Sequence, residues 1–172
     1  MTPTTREITF ALRQGQFVQL ADETGWSLAC SPEHAEAVEK LLEVRQDLVP
    51  APLPTLLIQD SGQLNLYVRP IPEVAWDLID FADKPLTVLL RGGVNLPEPF
   101  QPQVPVRKAL SEPVRQLIGA FGRGILTLPF ETTDWPIGLA EPNWQWGKLP
   151  EKAQLPRVME LGPNGEVAFL RK

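Results

Sequence analysis

The side chains best suited to covalent or metal chemistry are scarce in this chain. It holds one cysteine, Cys30, and one histidine, His34. A single thiol excludes an internal disulfide and a cysteine-based metal cluster, and a single imidazole leaves little for a His-rich zinc site or His-based catalysis. No metal site is expected. Cys30 closes an apolar run and reads as a small buried residue, whereas His34, just past a helix cap, reads as exposed. Neither a Walker-type phosphate loop nor a dinucleotide glycine pattern occurs. Arg91-Gly92-Gly93 and Gly122-Arg123-Gly124 are too short to signify nucleic-acid binding. Trp144-Gln145-Trp146 could stack a base, but such a pair more often anchors a loop on the core. What remains are hydroxyls, carboxylates and guanidinium groups: Asp22-Glu23-Thr24, Arg45, Arg107 and Thr127. By type alone, Glu23 and Thr24 shape a tight turn between strands. Arg45 is a charge at a helix C-terminus, where the macrodipole favours it.

The elements that position these residues alternate between strand and helix. Residues 5–14 carry Ile8, Ala11 and Leu12 at helical spacing, with Gly15 as a stop. Short apolar strands are expected at 17–20 and 26–29, on either side of Asp22-Glu23-Thr24. Ser31-Pro32-Glu33 supplies a capping hydroxyl, an N1 proline and an early acid for a helix running to about Arg45. Further strands are expected at 55–58, 86–90, 104–107 and 125–128. Helices are expected at 73–82, with Val74, Leu78 and Phe81 inward, and at 113–121, with Val114, Leu117 and Ile118 inward. Residues 158–161 and 167–170 flank Gly162-Pro163-Asn164-Gly165, a hairpin signal. Such alternation predicts a layered α/β domain, and the final hairpin makes the sheet mixed.

At 172 residues the chain fits a single domain over 1–172, and 43% hydrophobic content supplies an ordinary core. No apolar run reaches the roughly 20 residues that span a bilayer, and residues 1–7 lack an apolar signal core, so no membrane partner and a cytoplasmic location are expected. A net charge of −5 opposes broad contact with a phosphate backbone. Proline is abundant at 19, and much of it lies in ordered but irregular loops near 50–54, 97–105 and 129–163.

The order strand, acidic turn, helix, basic turn, strand resembles the YrdC/Sua5/YciO family of threonylcarbamoyl-AMP synthases. The first family signature runs roughly Pro-Thr-Asp/Glu-Thr-Val-Tyr-Gly-Leu; here Glu23, Thr24 and Leu28 match, Trp26 keeps an aromatic, and Asp22 replaces the first Thr. The second runs Lys-x-Arg-Pro with a later Pro-Leu; here Arg45 stands for the Lys, Asp47 for the Arg, and Pro52-Leu53 falls at the family spacing. Pro85-Leu86-Thr87 and Val106-Arg107 match further segments. Only Thr127 retains a hydroxyl of the family's Ser-Thr-Ser-Ala-Asn run, and Glu131 stands near its Asn. Pro156 falls in a last segment that is hydroxyl-rich in the family.

This resemblance implies a YrdC-like fold: a twisted mixed sheet with flanking helices and a concave cavity. It also implies chemistry in which L-threonine, bicarbonate and ATP, with Mg2+, give threonylcarbamoyl-AMP for tRNA modification. Carried over by position, Glu23, Thr24, Arg45, Arg107 and Thr127 become candidates for binding ATP or substrate, with no catalytic residue assigned. The departures at Asp22, Asp47 and Glu131 each put an acid where the family has a neutral or cationic group. A charge-assisted hydrogen bond contributes about 1.5–3 kcal/mol, so losing two would weaken ATP binding about 10²- to 10⁴-fold. Three functions follow in order: a scaffold with weakened or lost catalysis that binds a ligand or partner; an active, divergent synthase; and a module for tRNA or double-stranded RNA, which the net charge disfavours. Cofactors beyond these and the oligomeric state are not fixed by sequence.

Overall fold

The computed structural model describes residues 2–172. Nine strands form one mixed sheet: β1 (Val18–Asp22), β2 (Gly25–Cys30), β3 (Thr55–Ile58), β4 (Leu86–Arg91), β5 (Gln103–Lys108), β6 (Ile125–Pro129), β7 (Trp144–Gly147), β8 (Arg157–Leu161) and β9 (Val167–Arg171). Their spatial order is β7-β1-β2-β6-β3-β5-β4-β8-β9. The pairs β1–β7, β3–β5 and β4–β8 run parallel; β1–β2, β2–β6, β3–β6, β4–β5 and β8–β9 run antiparallel. Four helices accompany it: α1 (Thr5–Arg13), α2 (Ala35–Gln46), α3 (Glu73–Asp80) and α4 (Glu112–Phe121). The expected α/β class with a twisted mixed sheet and flanking helices is what the chain adopts.

Alternation along the strands divides the core in two. Leu28, Leu56, Val88, Val106, Leu126 and Met159 face a layer containing α2 and α3. Ala29, Leu57, Ile125 and Val18 face α1 and α4. The same alternation puts Thr55, Thr87, Arg107 and Thr127 on the α1/α4 side of the sheet, since each is one residue away from a side chain facing α2 and α3. Cys30 lies fully buried in the α2/α3 layer.

Helix ends follow local chemistry. Thr4 and Glu7 form a capping box on α1. Gly122, at φ +79°, closes α4 in the left-handed conformation that suits glycine. The second helix corrects the expected start: it begins at Ala35, and His34, not Ser31, is its cap, Nδ1 accepting from the Ala37 N–H at 3.3 Å. His34 is half-buried rather than exposed, because its ring lies against Gly15; a Cβ at Gly15 would sit 2.4 Å from it. In α3 the buried face is Ala75 and Ile79, while Val74 is 40% and Phe81 80% exposed. Of the three residues expected inward only Leu78 packs, partly, against the core; Val74 and Phe81 face outward. Trp144-Gln145-Trp146 belongs to an edge strand not expected from sequence, tied down by Trp144 Nε1 donating to Gln16 Oε1 and Trp146 Nε1 donating to the Pro113 carbonyl. No helix among the described residues is long and apolar enough to cross a membrane.

Candidate functional site

The turn between β1 and β2 is two residues long, Glu23-Thr24, with Asp22 opposite Gly25. Asp22 Oδ1 accepts the Thr24 N–H at 2.8 Å and the Thr24 hydroxyl at 2.6 Å, an aspartate-built turn of the kind short polar side chains favour. Gly25 holds φ +104°, and a Cβ there would meet the Thr132 carbonyl at 2.2 Å. The turn is thereby fixed with the carboxylates of Asp22 and Glu23 pointing across the sheet towards β5.

Arg107 meets them. It sits in β5 between Leu57 of β3 and Thr87 of β4. Its Nη2 donates to Asp22 Oδ2 at 2.8 Å and its Nη1 to Glu23 Oε1 at 2.9 Å. Asp22 and Arg107 are buried, and Glu23 is nearly so. Glu23 also accepts the N–H groups of Leu110 at 3.2 Å and Ser111 at 3.1 Å. The cluster sets two carboxylates against one guanidinium. Burial, and then the Asp22 charge, push the Glu23 carboxyl above its ordinary range, against the pull of Arg107 and of backbone N–H groups. Burial opposes the Arg107 charge, but Asp22 and Glu23 together outweigh it and hold the guanidinium above its ordinary range.

The other candidates are distributed differently. Thr127 is fully buried and its hydroxyl donates to the Thr55 carbonyl at 2.7 Å. Arg45 Nε donates to the Pro52 carbonyl at 2.6 Å, which pins the proline loop after α2. Asp47 caps the end of α2 and is exposed. Glu131 takes a left-handed backbone, φ +59°, which costs a residue bearing a Cβ about 1–2 kcal/mol. It accepts both terminal nitrogens of Arg171, Nη1 at 3.0 Å, while Arg171 Nε donates to the Pro156 carbonyl at 2.8 Å.

Arg107, Glu131 and Arg171 border one cavity of about 270 Å³, walled by Pro50, Pro52, Thr55, Thr87, Phe130 and Val158 among others. Ligand pockets commonly run about 300–1,000 Å³, so this one is small for a nucleotide triphosphate. Its cations face carboxylates instead of open space: Arg107 against Asp22 and Glu23, Arg171 against Glu131. The residues present do not fit ATP with Mg2+. Among the described residues, no group of three or more His, Cys, Asp or Glu is placed to hold a metal. A larger surface hollow of about 640 Å³, near Glu33, Tyr67 and Arg123, contains none of the candidate residues.

The structure thus joins Glu23, Thr24, Arg107 and Asp22 in one cluster. Thr127 lies deeper in the same face, and Arg45 and Asp47 sit apart at the α2 end. Sequence reasoning missed Arg171, a cavity cation supplied by the last strand; its one signal was its place at the end of a terminal hairpin.

A family model for the Sua5, YciO and YrdC domain, described as telomere recombination, matches residues 10–129. A threonylcarbamoyl-AMP synthase from Halorhodospira halophila is 36% identical over 72 residues, covering 39% of this chain and 35% of that protein. A double variant of P. abyssi Sua5 superposes with a TM-score of 0.78 at 22% identity, over 97% of this chain and 55% of that one. E. coli YciO gives 0.73 at 22% identity, over 99% of this chain and 91% of that one. P. abyssi Sua5 complexed with L-threonine gives 0.74 at 22% identity, over 97% of this chain and 53% of that one. The chain spans about a third of the curated relative and about half of the Sua5 chains.

Proposed function

This chain belongs to the Sua5, YciO and YrdC family, and from that premise we propose that it is a divergent member in which synthesis of threonylcarbamoyl-AMP is weakened or lost and the cavity serves as a binding scaffold. The observation that carries this reading is the state of Arg107. A cation that is to hold a phosphate must be free to offer its donors. Here both terminal nitrogens are committed to Asp22 and Glu23, at 2.8 and 2.9 Å, in a buried cluster. Exchanging those carboxylates for a phosphate would leave buried acids unpaired, a cost of several kcal/mol by order of magnitude.

Asp22 and Glu131 support the same reading. A related Sua5 structure holds L-threonine; here Asp22 is fully buried, commits its carboxylate to Arg107 and Thr24, and offers such a ligand no donor. Glu131 is already paired with Arg171 on the cavity rim. The test is incubation of the purified chain with L-threonine, bicarbonate, ATP and Mg2+, followed by mass spectrometry for threonylcarbamoyl-AMP. At most trace product is expected, beside a related synthase that gives abundant product under the same conditions. Sustained turnover by this chain would overturn the reading.

A further inference from the structure

β9 is the last strand of the sheet, with β8 on one side and no neighbour on the other among the described residues. Three of its residues are large, apolar and exposed: Val167 at 48%, Phe169 at 40% and Leu170 at 60%. An edge of that composition is a template for another strand.

The hairpin fixes which backbone groups that edge offers. The Gly162 N–H donates to the Glu166 carbonyl at 2.8 Å. The register then sets Val167 opposite Leu161, Ala168 opposite Glu160 and Phe169 opposite Met159. Hydrogen-bonded and non-hydrogen-bonded pairs alternate along an antiparallel ladder. Glu166 and Ala168 therefore turn their backbone groups to β8, and Val167 and Phe169 turn theirs outward. Leu161 and Met159 face the α2/α3 layer, so Val167 and Phe169 opposite them present their side chains on that same face, where both stay exposed. Arg157 stacks on the Phe169 ring, 4.9 Å from its centroid, and fixes it there.

We propose that β9 is the seat of a two-fold symmetric dimer, pairing antiparallel with β9 of a second copy about an axis through Ala168. That register sets Val167 against Phe169 of the second copy, twice. Each such pair exchanges both outward N–H and carbonyl groups, and an aromatic against a β-branched side chain is a favourable cross-strand combination. Ala168 faces its own copy at the closely spaced, non-hydrogen-bonded position, where a small side chain lets the strands approach. In that register Glu166 lies opposite Leu170 of the second copy, beside its basic end; Arg171 there already pairs with Glu131 of its own copy, so the complementing charge is that of Lys172. A surface that pairs with itself about a two-fold axis closes after two chains and does not propagate. The irregularity in the β8–β9 register falls after Phe169, beyond the residues that make the outward bonds. This dimer is independent of whether the cavity retains catalysis.

The test is sedimentation equilibrium of the purified chain over a range of concentrations. The wild type is expected to be dimeric at the upper end. Val167→Lys and Phe169→Glu are each expected to weaken the dimer at least about tenfold, with circular dichroism unchanged. Mixed together they are expected to form a heterodimer, since one Lys then faces one Glu and the second Val–Phe pair is intact. Ala168→Cys is expected to form a disulfide-linked dimer under mild oxidation, Cys30 being buried. Should Phe169→Glu fail to fold, Val167→Lys and Ala168→Cys read the same register. A wild type that stays monomeric at every concentration, a Val167→Lys chain that dimerises as tightly as the wild type, or an Ala168→Cys chain that does not cross-link would each overturn the proposal. A different protein on this edge would appear as the first of these outcomes.

Discussion

Arg107 and Arg171 border the same cavity, Arg107 from a central strand and Arg171 from the edge strand. Each is paired with carboxylate, yet the pairs differ in kind. Arg107 is 1% exposed, between acids that are 0% and 11% exposed, and its partners lie on a turn more than 80 residues away. Arg171 is 41% exposed and Glu131 27%. Desolvation makes the first arrangement costly to alter, because any group left behind is a buried charge without a partner. Solvent can replace either partner of the second, so it is a pair that can open. The central pair acts as framework and the rim pair as the adjustable part of the cavity wall.

The sharpest way to break this contrast is Arg107→Met. It leaves the Asp22 and Glu23 carboxylates facing each other, and a loss of about 3–5 kcal/mol is expected, read from urea unfolding at neutral pH. A loss below about 1 kcal/mol would put Arg107 in the same class as a surface pair.

An intermediate effect is expected from pH. The Glu23 carboxyl is held above its ordinary value of 4.5, first by burial and then by Asp22. A carboxyl raised on folding stabilises most fully below its unfolded value, and that stability is lost as pH rises through the folded value. Glu23→Gln cannot titrate, so its stability should decline less than that of the wild type between about pH 4 and neutrality. Parallel stability curves for the two proteins would remove Glu23 from the titrating groups.

The smallest effect is expected at the rim. Arg171→Ala should change the unfolding free energy by no more than about 1 kcal/mol, because water takes over the Glu131 carboxylate. A loss as large as that of Arg107→Met would show the two pairs to be equivalent and collapse the comparison.

Much of this architecture was legible because the strands carry their own periodicity. The stretches around Thr55–Ile58, Leu86–Arg91 and Ile125–Pro129 are apolar and bounded by turn residues, and α4 shows Val114, Leu117 and Ile118 on one face. The third helix misled for a physical reason. It is only two turns long, both of its stripes are apolar, and the small Ala75 marks the buried one less visibly than Val74 and Phe81 mark the other. β7 was hidden in a proline-rich stretch, where its two half-buried tryptophans look like loop anchors. At the site, the resemblance singles out Glu23, Thr24 and Arg107 as candidates for binding ATP or substrate and treats Asp22 as a departure; the ion pair between Asp22 and Arg107 is not part of that reading. That the two neutralise each other depends on strands distant in sequence lying close across the sheet, which no local spacing records.

Cys30 carries a consequence of a different sort. Its thiol is buried beneath α2, and desolvation pushes its pKa to about 12. Only a thiolate attacks an alkylating reagent, so in the native fold the chain's sole sulfhydryl is chemically silent. It wakes only when β2 and α2 part. Uptake of a thiol label thus works as a stopwatch for the breathing of the central sheet, with no cysteine to be added.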